Sequence, residues 1–563
     1  MARAHRSLAL GLALLLAGCA SPTPAPPSAT AEAPKAPPAP QGGATTAPKP
    51  AAATAAAKPS GKDTLAVAIP SDIDNFDPPK SFGVPKQELS YNVYEQLVDF
   101  KLKDQPNGLK VSDGDAWAPS LAEQVDVGPD GVTYTFHLRK GVRFYPSGRE
   151  LAAEDVRWSL ERQLALTVGF GKFEANEASI FEPSQLQVVD PLTVRLTTRG
   201  HNPATLAFMR FIQFAVFDSQ EVRAHSTPDD PWAEKWLAEH TAGTGPYYVE
   251  SRNPGVEIVL ARNPYYWGPP PAFQRVVLRI LGSKADRLLL IASGAVDVDT
   301  YLGAEEIAAL RRQPGVTVLS EPSVKRIHLN LRVDQPPFDD VRVRKALAYA
   351  VPYDQIIKTA YFGAARRMYS MVTEGTPGYD GSVRYDYDLE KARPLLAEAG
   401  KGDGLATSIF YDSGVPEHQS VAVLLQAELA KLKINAAIQG LPTAQFQSRR
   451  QNRDLAGIIL GQGSLWLDDP ATVVNLWYRS KGFANYSKYE NPRVDAIYDQ
   501  WAFSSDREGR ARAFADVQRI VADDAALIPV ASANHNVAMR DNLAGYVYYI
   551  DFLTRFRFLA PKG

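Results

Sequence analysis

Residues 388–400 read DLEKARPLLAEAG, residues 421–432 read VAVLLQAELAKL, and the apolar runs INAAI (434–438) and LAGIIL (455–460) follow. Asp388 suits a helix N-cap, Leu389, Ala392, Leu395, Leu396 and Ala399 share one helical face, and Gly400 suits the stop. Val421, Leu424, Leu425, Leu429 and Leu432 repeat at helical spacing, and the two short runs read as strands. Helices alternating with short apolar strands specify an α/β lobe. Ligands in such sheets sit beyond the carboxyl ends of strands, so the segment from Gly461 through Gln462 to Trp466 is a candidate site.

Upstream, Val132, Tyr134, Phe136 and Leu138 alternate with polar residues, the period of a half-buried strand. Gly141 then suggests a turn into a partner strand at Val142-Arg143-Phe144. No internal repeat is present. The chain has 563 residues, too many for one core, so two or more lobes are expected.

The N-terminus has an export layout: Arg3 and Arg6, the uncharged run Leu8 to Leu16, then Ala17, Gly18 and Cys19. The run is too short to span a bilayer, and no later stretch reaches the roughly 18 apolar residues a membrane helix needs. Leu16-Ala17-Gly18-Cys19 resembles the bacterial lipobox, which implies lipidation of Cys19 after removal of residues 1–18. Cys19 is the one cysteine in the chain, so an intramolecular disulfide is excluded and stability must come from burial. Residues 19–62 are rich in Ala and Pro and too poor in large apolar side chains to fold, and they read as a semi-stiff tether. The chain carries 61 Lys and Arg against 63 Asp and Glu; loss of Arg3 and Arg6 takes the formal charge from −2 to about −4, which offers nucleic acid no basic footprint.

Several ordered segments resemble the peptide-type solute-binding proteins of ABC importers, the family of the oligopeptide- and dipeptide-binding proteins. They are Phe76-Asp77-Pro78, Asn92 to Leu97, Pro119 to Glu123, Asp130 to Phe136, Leu138 to Phe144, Ala153 to Val156, Gly243-Thr244-Gly245-Pro246-Tyr247, Arg262 to Trp267, Pro337 to Leu347 and Asp388 to Gly400. Singly, most read as backbone devices: Gly245-Pro246 a turn, Asp155 a first-turn carboxylate, Asn263-Pro264 another turn. The resemblance implies an α/β, two-lobed periplasmic-binding-protein fold of type II with two chain crossings and an extra subdomain. Lobe I would take residues 63–325, with an inserted subdomain at about 107–230; lobe II 326–530; and residues 531–563 would return to lobe I. It also implies a ligand engulfed between lobes that close by a hinge motion, and an ABC permease in the membrane as partner.

In the family's peptide binders an extended peptide pairs with backbone of the first lobe like an added strand. Ser81 to Pro85 stands where that edge would be, which makes Phe82, Gly83 and Val84 candidates; a plain surface loop is the alternative. In the second lobe those binders carry a tryptophan, an aspartate three residues later for the ligand's α-ammonium, and then an acidic-proline pair. Placing Asp469-Pro470 on that pair puts Trp466 at the ammonium position and Gly463 at the tryptophan's. A desolvated ammonium needs a counter-charge, which Asp468 or Asp469 could supply and Trp466 could not. An indole suits a sugar face or an apolar group, and the family also includes binders of oligosaccharides, opines and nickel complexes. Tyr301 and Tyr411 are further cleft candidates by placement.

Enzyme signatures are missing: no Gly-x-Ser-x-Gly elbow, His-Glu-x-x-His helix or phosphate loop occurs, and the eight histidines show no metal-ligand spacing. The expectation is therefore a monomeric, lipid-anchored, extracytoplasmic protein that binds a small solute, foremost a peptide, with no catalytic residue, metal or cofactor and no nucleic acid. A non-peptide ligand, or a sensor reporting to a receptor, stays open.

Overall fold

The computed structural model describes residues 63–563 apart from 81–82, 167–170, 465–466, 468 and the side chain of residue 115. The signal segment, Cys19 and the tether lie outside the described residues, as do Phe82, Trp466 and Asp468.

One sheet runs through both lobes. Its second-lobe strands are, in spatial order, Ile434–Leu441, Leu405–Asp412 and Ile458–Ser464; next come the long strands Val316–Leu331 and Leu527–Arg540, and then Val298–Asp299, Thr64–Ile69, Arg275–Ile280, Glu257–Arg262 and Tyr247–Asn253. The two long strands are the chain crossings. They pair antiparallel from Val316↔Arg540 to Asn330↔Leu527, with register slips between Glu321 and Lys325 and between Ile327 and His328. Val318 and Ala538 pack with Leu302 and Ile307 on the first-lobe side, whereas Ile327, Leu329 and Val530 pack with Leu425 and Leu460 on the other. The register slips fall where the cores change over, and slips of this kind disrupt a ladder locally.

The predicted helices form. Asp388 accepts hydrogen bonds from the Glu390 and Lys391 amides and caps Leu389–Glu398, and the second apolar stripe becomes His418–Ala430. Three local readings are corrected. Val142 to Phe144 is not a partner strand: Thr133–Leu138 already has Ala122–Val127 on one edge and Thr193–Thr197 on the other, so Val142 and Phe144 turn inward and are buried. Gly83 to Pro85 is no strand edge either, since Val84–Val93 is a helix with Pro85 in its first turn; proline is preset for that position, and Gly83 ahead of it has a φ of 106°. The strand expected at 455–460 is Ile458–Ser464. It begins where pairing with Leu331 begins, while Leu455 joins Phe446 in a separate small cluster, so Gly461 and Gln462 belong to the strand.

A four-stranded sheet within residues 122–197 stands apart from the main one, in the region expected as inserted. The C-terminal stretch is sewn into the first lobe: Val547–Tyr548 pairs with Lys110 and Val111, Asn92 donates to the Thr554 carbonyl at 2.8 Å, and the Phe556 amide donates to Asn92 Oδ1 at 2.8 Å. Gly245 shows why the Gly-Thr-Gly-Pro turn needs glycine. A Cβ there would stand 2.5 Å from the Val93 carbonyl carbon and 2.6 Å from its oxygen, both backbone atoms with no room to give. Gly245→Ala is expected to cost about 1–3 kcal/mol, measured as a lower urea midpoint at unchanged slope.

Candidate functional site

Between the lobes, against the crossing strands, lies a cavity of about 230 Å³. The first lobe contributes Val84, Tyr301, His535 and Phe552, the second Tyr361, Glu417 and Gln462, and Lys325 comes from the crossing itself. Val84 is presented by the first turn of its helix. Tyr301 follows the short strand Val298–Asp299, where its amide donates to Asp299 Oδ1 at 2.7 Å. Gln462 sits opposite Ile327 in the ladder, which brings it to the same face as Lys325.

The structure thus brings Val84, Tyr301 and Gln462 together, with Gly83 next in the chain to Val84. Tyr411 lies elsewhere, packed in the second-lobe core and 8 % exposed. Asp469 lines a second cavity, of about 560 Å³, between the inserted subdomain and the second lobe. Its oxygens are already engaged: Oδ2 accepts from the Thr472 amide and hydroxyl, capping Pro470–Trp477, and Oδ1 pairs with Arg510 at 2.5 Å. A carboxylate so committed is a poor reserve for a ligand ammonium. Five of the residues named in the first cavity were missed in the sequence, Lys325, Tyr361, Glu417, His535 and Phe552, because none stands in a motif and their proximity depends on how distant segments pair and pack.

The cavity wall mixes polar and apolar side chains. Among the described residues the Lys325 ammonium has no hydrogen-bond or ion-pair partner; it lies 4.8 Å from the centre of the Phe552 ring. Enclosure pulls its pKa down to about 8, with Glu417 opposing the shift. Burial pushes the Tyr301 and Tyr361 hydroxyls well above their ordinary value, and both lack a hydrogen-bond partner, as does His535 Nδ1. Burial, with Lys325 nearby, pushes His535 well below its ordinary value, so the imidazole is neutral. No group of three or more His, Cys, Asp or Glu able to hold a metal occurs among the described residues.

The lobes meet at this cavity, through Ala304 and Glu417, and elsewhere. The Ala304 amide donates to Glu417 Oε1 at 2.9 Å, Asn475 donates to Glu177 Oε1 at 2.8 Å, Phe173 packs on Phe483 at 5.9 Å, His201 Nδ1 sits 3.0 Å from the Phe503 carbonyl, and Leu467 joins the first-lobe hydrophobic cluster. Glu177 makes the contact sensitive to pH. Burial is the main force raising its carboxyl to about 7, and nearby Asp469 adds to it while Asn475 and Arg479 oppose. A carboxyl whose pKa is raised in the closed form favours closure when protonated; that stabilisation is complete below its open-form value near 4.3 and is lost as pH rises through about 7. Solute affinity is expected to fall between pH 5 and 8 and to flatten in Glu177→Gln, as followed by calorimetry across that range.

Comparisons with known proteins agree with this architecture. The chain is 29% identical over 493 residues to the probable D,D-dipeptide-binding periplasmic protein DdpA of Escherichia coli (strain K12), covering 86% of this chain and 92% of that protein. It is 26% identical over 487 residues to heme-binding protein A of Haemophilus influenzae, covering 83% and 86%. The solved structure of the ABC transporter-associated periplasmic binding protein DppA from Helicobacter pylori, in complex with the peptide STSA, superposes with a TM-score of 0.75 at 24% identity, covering 89% of this chain and 98% of that one. Residues 116–485 match the family model described as "Bacterial extracellular solute-binding proteins, family 5 Middle", and the chain therefore belongs to the family 5 bacterial extracellular solute-binding proteins.

Proposed function

We propose that this protein captures a short peptide or peptide-like solute between its lobes outside the cytoplasm and delivers it to an ABC importer permease, as a monomer held at the membrane by lipid on Cys19. The two lobes share the long crossing strands Val316–Leu331 and Leu527–Arg540. The observation that carries the reading is the cavity of about 230 Å³ lined from both lobes at those crossings. A ligand touching both lobes stabilises the closed form, which is the differential affinity a population shift requires. The volume is somewhat below the roughly 300–1,000 Å³ of drug-sized sites, which favours a solute of very few residues. The names of the D,D-dipeptide-binding relative and of the peptide complex point the same way.

The test is a thermal-shift and calorimetric screen of the purified chain against di- and tripeptides, including the L,L and D,D forms of alanyl-alanine, with X-ray scattering on every binder. The expected result is a raised melting temperature together with compaction. Stabilisation by an opine or oligosaccharide, with no response to any peptide, would replace the peptide reading.

A further inference from the structure

The strands Val98–Asp104 and Lys110–Pro119 pair antiparallel, and the loop between them, Gln105-Pro106-Asn107-Gly108-Leu109, holds the one Asn-Gly step in the chain. Both residues of that step are exposed. Pro106 presets the first central position of the turn, and Gly108 takes the left-handed conformation that closes it, at a φ of 81°. The Gly108 amide donates to the Gln105 carbonyl at 2.9 Å, and the Gln105 amide to the Leu109 carbonyl at 2.8 Å. The Asn107 carboxamide makes two bonds at this tip: Oδ1 accepts from the Leu109 amide at 3.0 Å, and Nδ2 donates to Glu321 Oε1 at 3.4 Å. Glu321 stands opposite His535 in the crossing ladder, at the last pair before the first register slip. One carboxamide therefore fastens the hairpin tip to the crossing strand.

An asparagine side chain reaches the backbone nitrogen of the next residue through a five-membered ring, and the residue that owns that nitrogen decides how freely it does so. Glycine puts no side chain in the way. Even a Cβ at position 108 would meet nothing within 4 Å, so the surroundings do not shield the tip either. The Leu109 amide, by donating to Oδ1, draws electron density from Asn107 Cγ and favours attack there. The turn bond of the Gly108 amide opposes attack and has to open first, which costs little at an exposed loop tip. By contrast, Asn92, Asn202, Asn263, Asn330 and Asn485 are buried, and every asparagine but Asn107 is followed by a residue with a side chain.

We propose that Asn107 is a site of spontaneous deamidation, and that the modification unfastens the hairpin from the crossing strand. The Gly108 backbone nitrogen, its proton taken up by hydroxide, attacks Asn107 Cγ. The new N–Cγ bond forms, the Cγ–Nδ2 bond breaks, and Nδ2 leaves as ammonia with a proton from water. One water then opens the cyclic imide at either carbonyl, giving aspartate or its isomer with the main chain running through the side-chain carbon. Water is consumed and ammonia released, and nothing is oxidised or reduced. In the product a carboxylate faces Glu321 in place of a donor, and like charges at that range repel. Lys110, the cation nearest in the chain, is already held by Asp104 at 2.7 Å. The isomer also adds a backbone atom to a turn whose two hydrogen bonds fix its length.

The experiment ages the purified full chain at neutral and at mildly alkaline pH and follows the tryptic peptide Asp104–Lys110 by mass spectrometry. The expected result is a gain of about 1 Da at Asn107, split between two chromatographic isomers. Its rate is expected to exceed that of any other asparagine by at least ~10-fold, and to rise with pH because the attacking nitrogen has to lose its proton. An unchanged peptide under conditions that deamidate other asparagines, or a rate equal at both pH values, overturns the proposal. Asn107→Asp reads the consequence without ageing: it is expected to melt roughly 1 °C below the unaltered protein, and adding Glu321→Gln is expected to remove that loss. Asn107→Asp melting with the unaltered chain, or a loss that persists beside Glu321→Gln, overturns the unfastening.

Discussion

Replacing Arg162 with methionine is expected to lower the stability of the first lobe by about 3–5 kcal/mol, the cost of leaving one partner of a buried ion pair uncompensated. Arg162 and Asp77 are both fully buried, with Arg162 Nη2 2.7 Å from Asp77 Oδ2 and Nη1 2.8 Å from Oδ1. The guanidinium also donates from Nε to the Trp232 carbonyl at 3.0 Å and lies 5.2 Å from the Phe217 ring centre. This fork joins the first segment of the lobe to the helix Ala153–Ala165 of the inserted region. The loss is read from urea unfolding followed by tryptophan fluorescence, since Trp158 and Trp232 pack 5.9 Å apart beside the pair. Arg162→Met combined with Asp77→Asn is expected to cost less than the sum of the two single changes, because no uncompensated charge stays behind. Arg275→Met serves as the reference: its bond to Glu250 is exposed and carries at most about 1 kcal/mol. Equal losses at the two arginines would show that burial adds nothing here.

The second large effect is on binding. Ala304→Pro is expected to weaken solute affinity roughly 10- to 150-fold, taking a hydrogen bond to a charged group at about 1.5–3 kcal/mol, with little change in the melting temperature of the empty protein. Ala304 is the first residue of Ala304–Leu310, after the N-cap Gly303 at φ −74°, ψ 175°. Its amide is one of the donors a helix start leaves without an internal partner, and it donates across the cleft to Glu417. Proline is at home at a helix's first position, and the extended Gly303 suits the residue before it. The variant therefore keeps the helix and removes the inter-lobe bond, with the ring occupying the place of the hydrogen. Calorimetry with alanyl-alanine measures the affinity, and scattering with ligand present should show a less compact particle. Affinity equal to that of the unaltered protein would mean that this contact takes no part in closure.

Periodicity was a reliable guide wherever an element's own side chains decide its form. The helix capped by Asp388 and the strand around Phe136 appear as read, because a 3.6-residue stripe or a two-residue alternation is a property of the segment alone. The readings that failed depended on neighbours. Val142-Arg143-Phe144 has strand composition but no free edge to join, since both sides of Thr133–Leu138 are taken. Pro85 ends pairing in a strand and begins a helix equally well, and the helix Val84–Val93 settles which. Asp469 looked available to a ligand until Thr472 and Arg510, the latter 41 residues away, were seen to hold it.

The candidate site divides in the same way. Tyr301 and Gln462 were visible because they were read just past the ends of strands, positions that local pattern marks, and Val84 because the family resemblance placed a ligand-pairing edge there. Lys325, Tyr361, Glu417 and His535 were not, because each belongs to a segment whose own pattern is explained by pairing or packing. Local spacing was enough for the α/β lobes, which rest on short-range preferences summed along the chain, while the family and the class of protein came from the resemblance carried by the ordered segments between Phe76 and Gly400. Where the charge in the cleft stands, and which carboxylates are free to meet a solute, depend on residues more than 200 positions apart in the chain, such as Lys325 and Ala533 in one ladder. Such pairings follow from burial and hydrogen-bond closure over the whole molecule, which no single window of sequence contains.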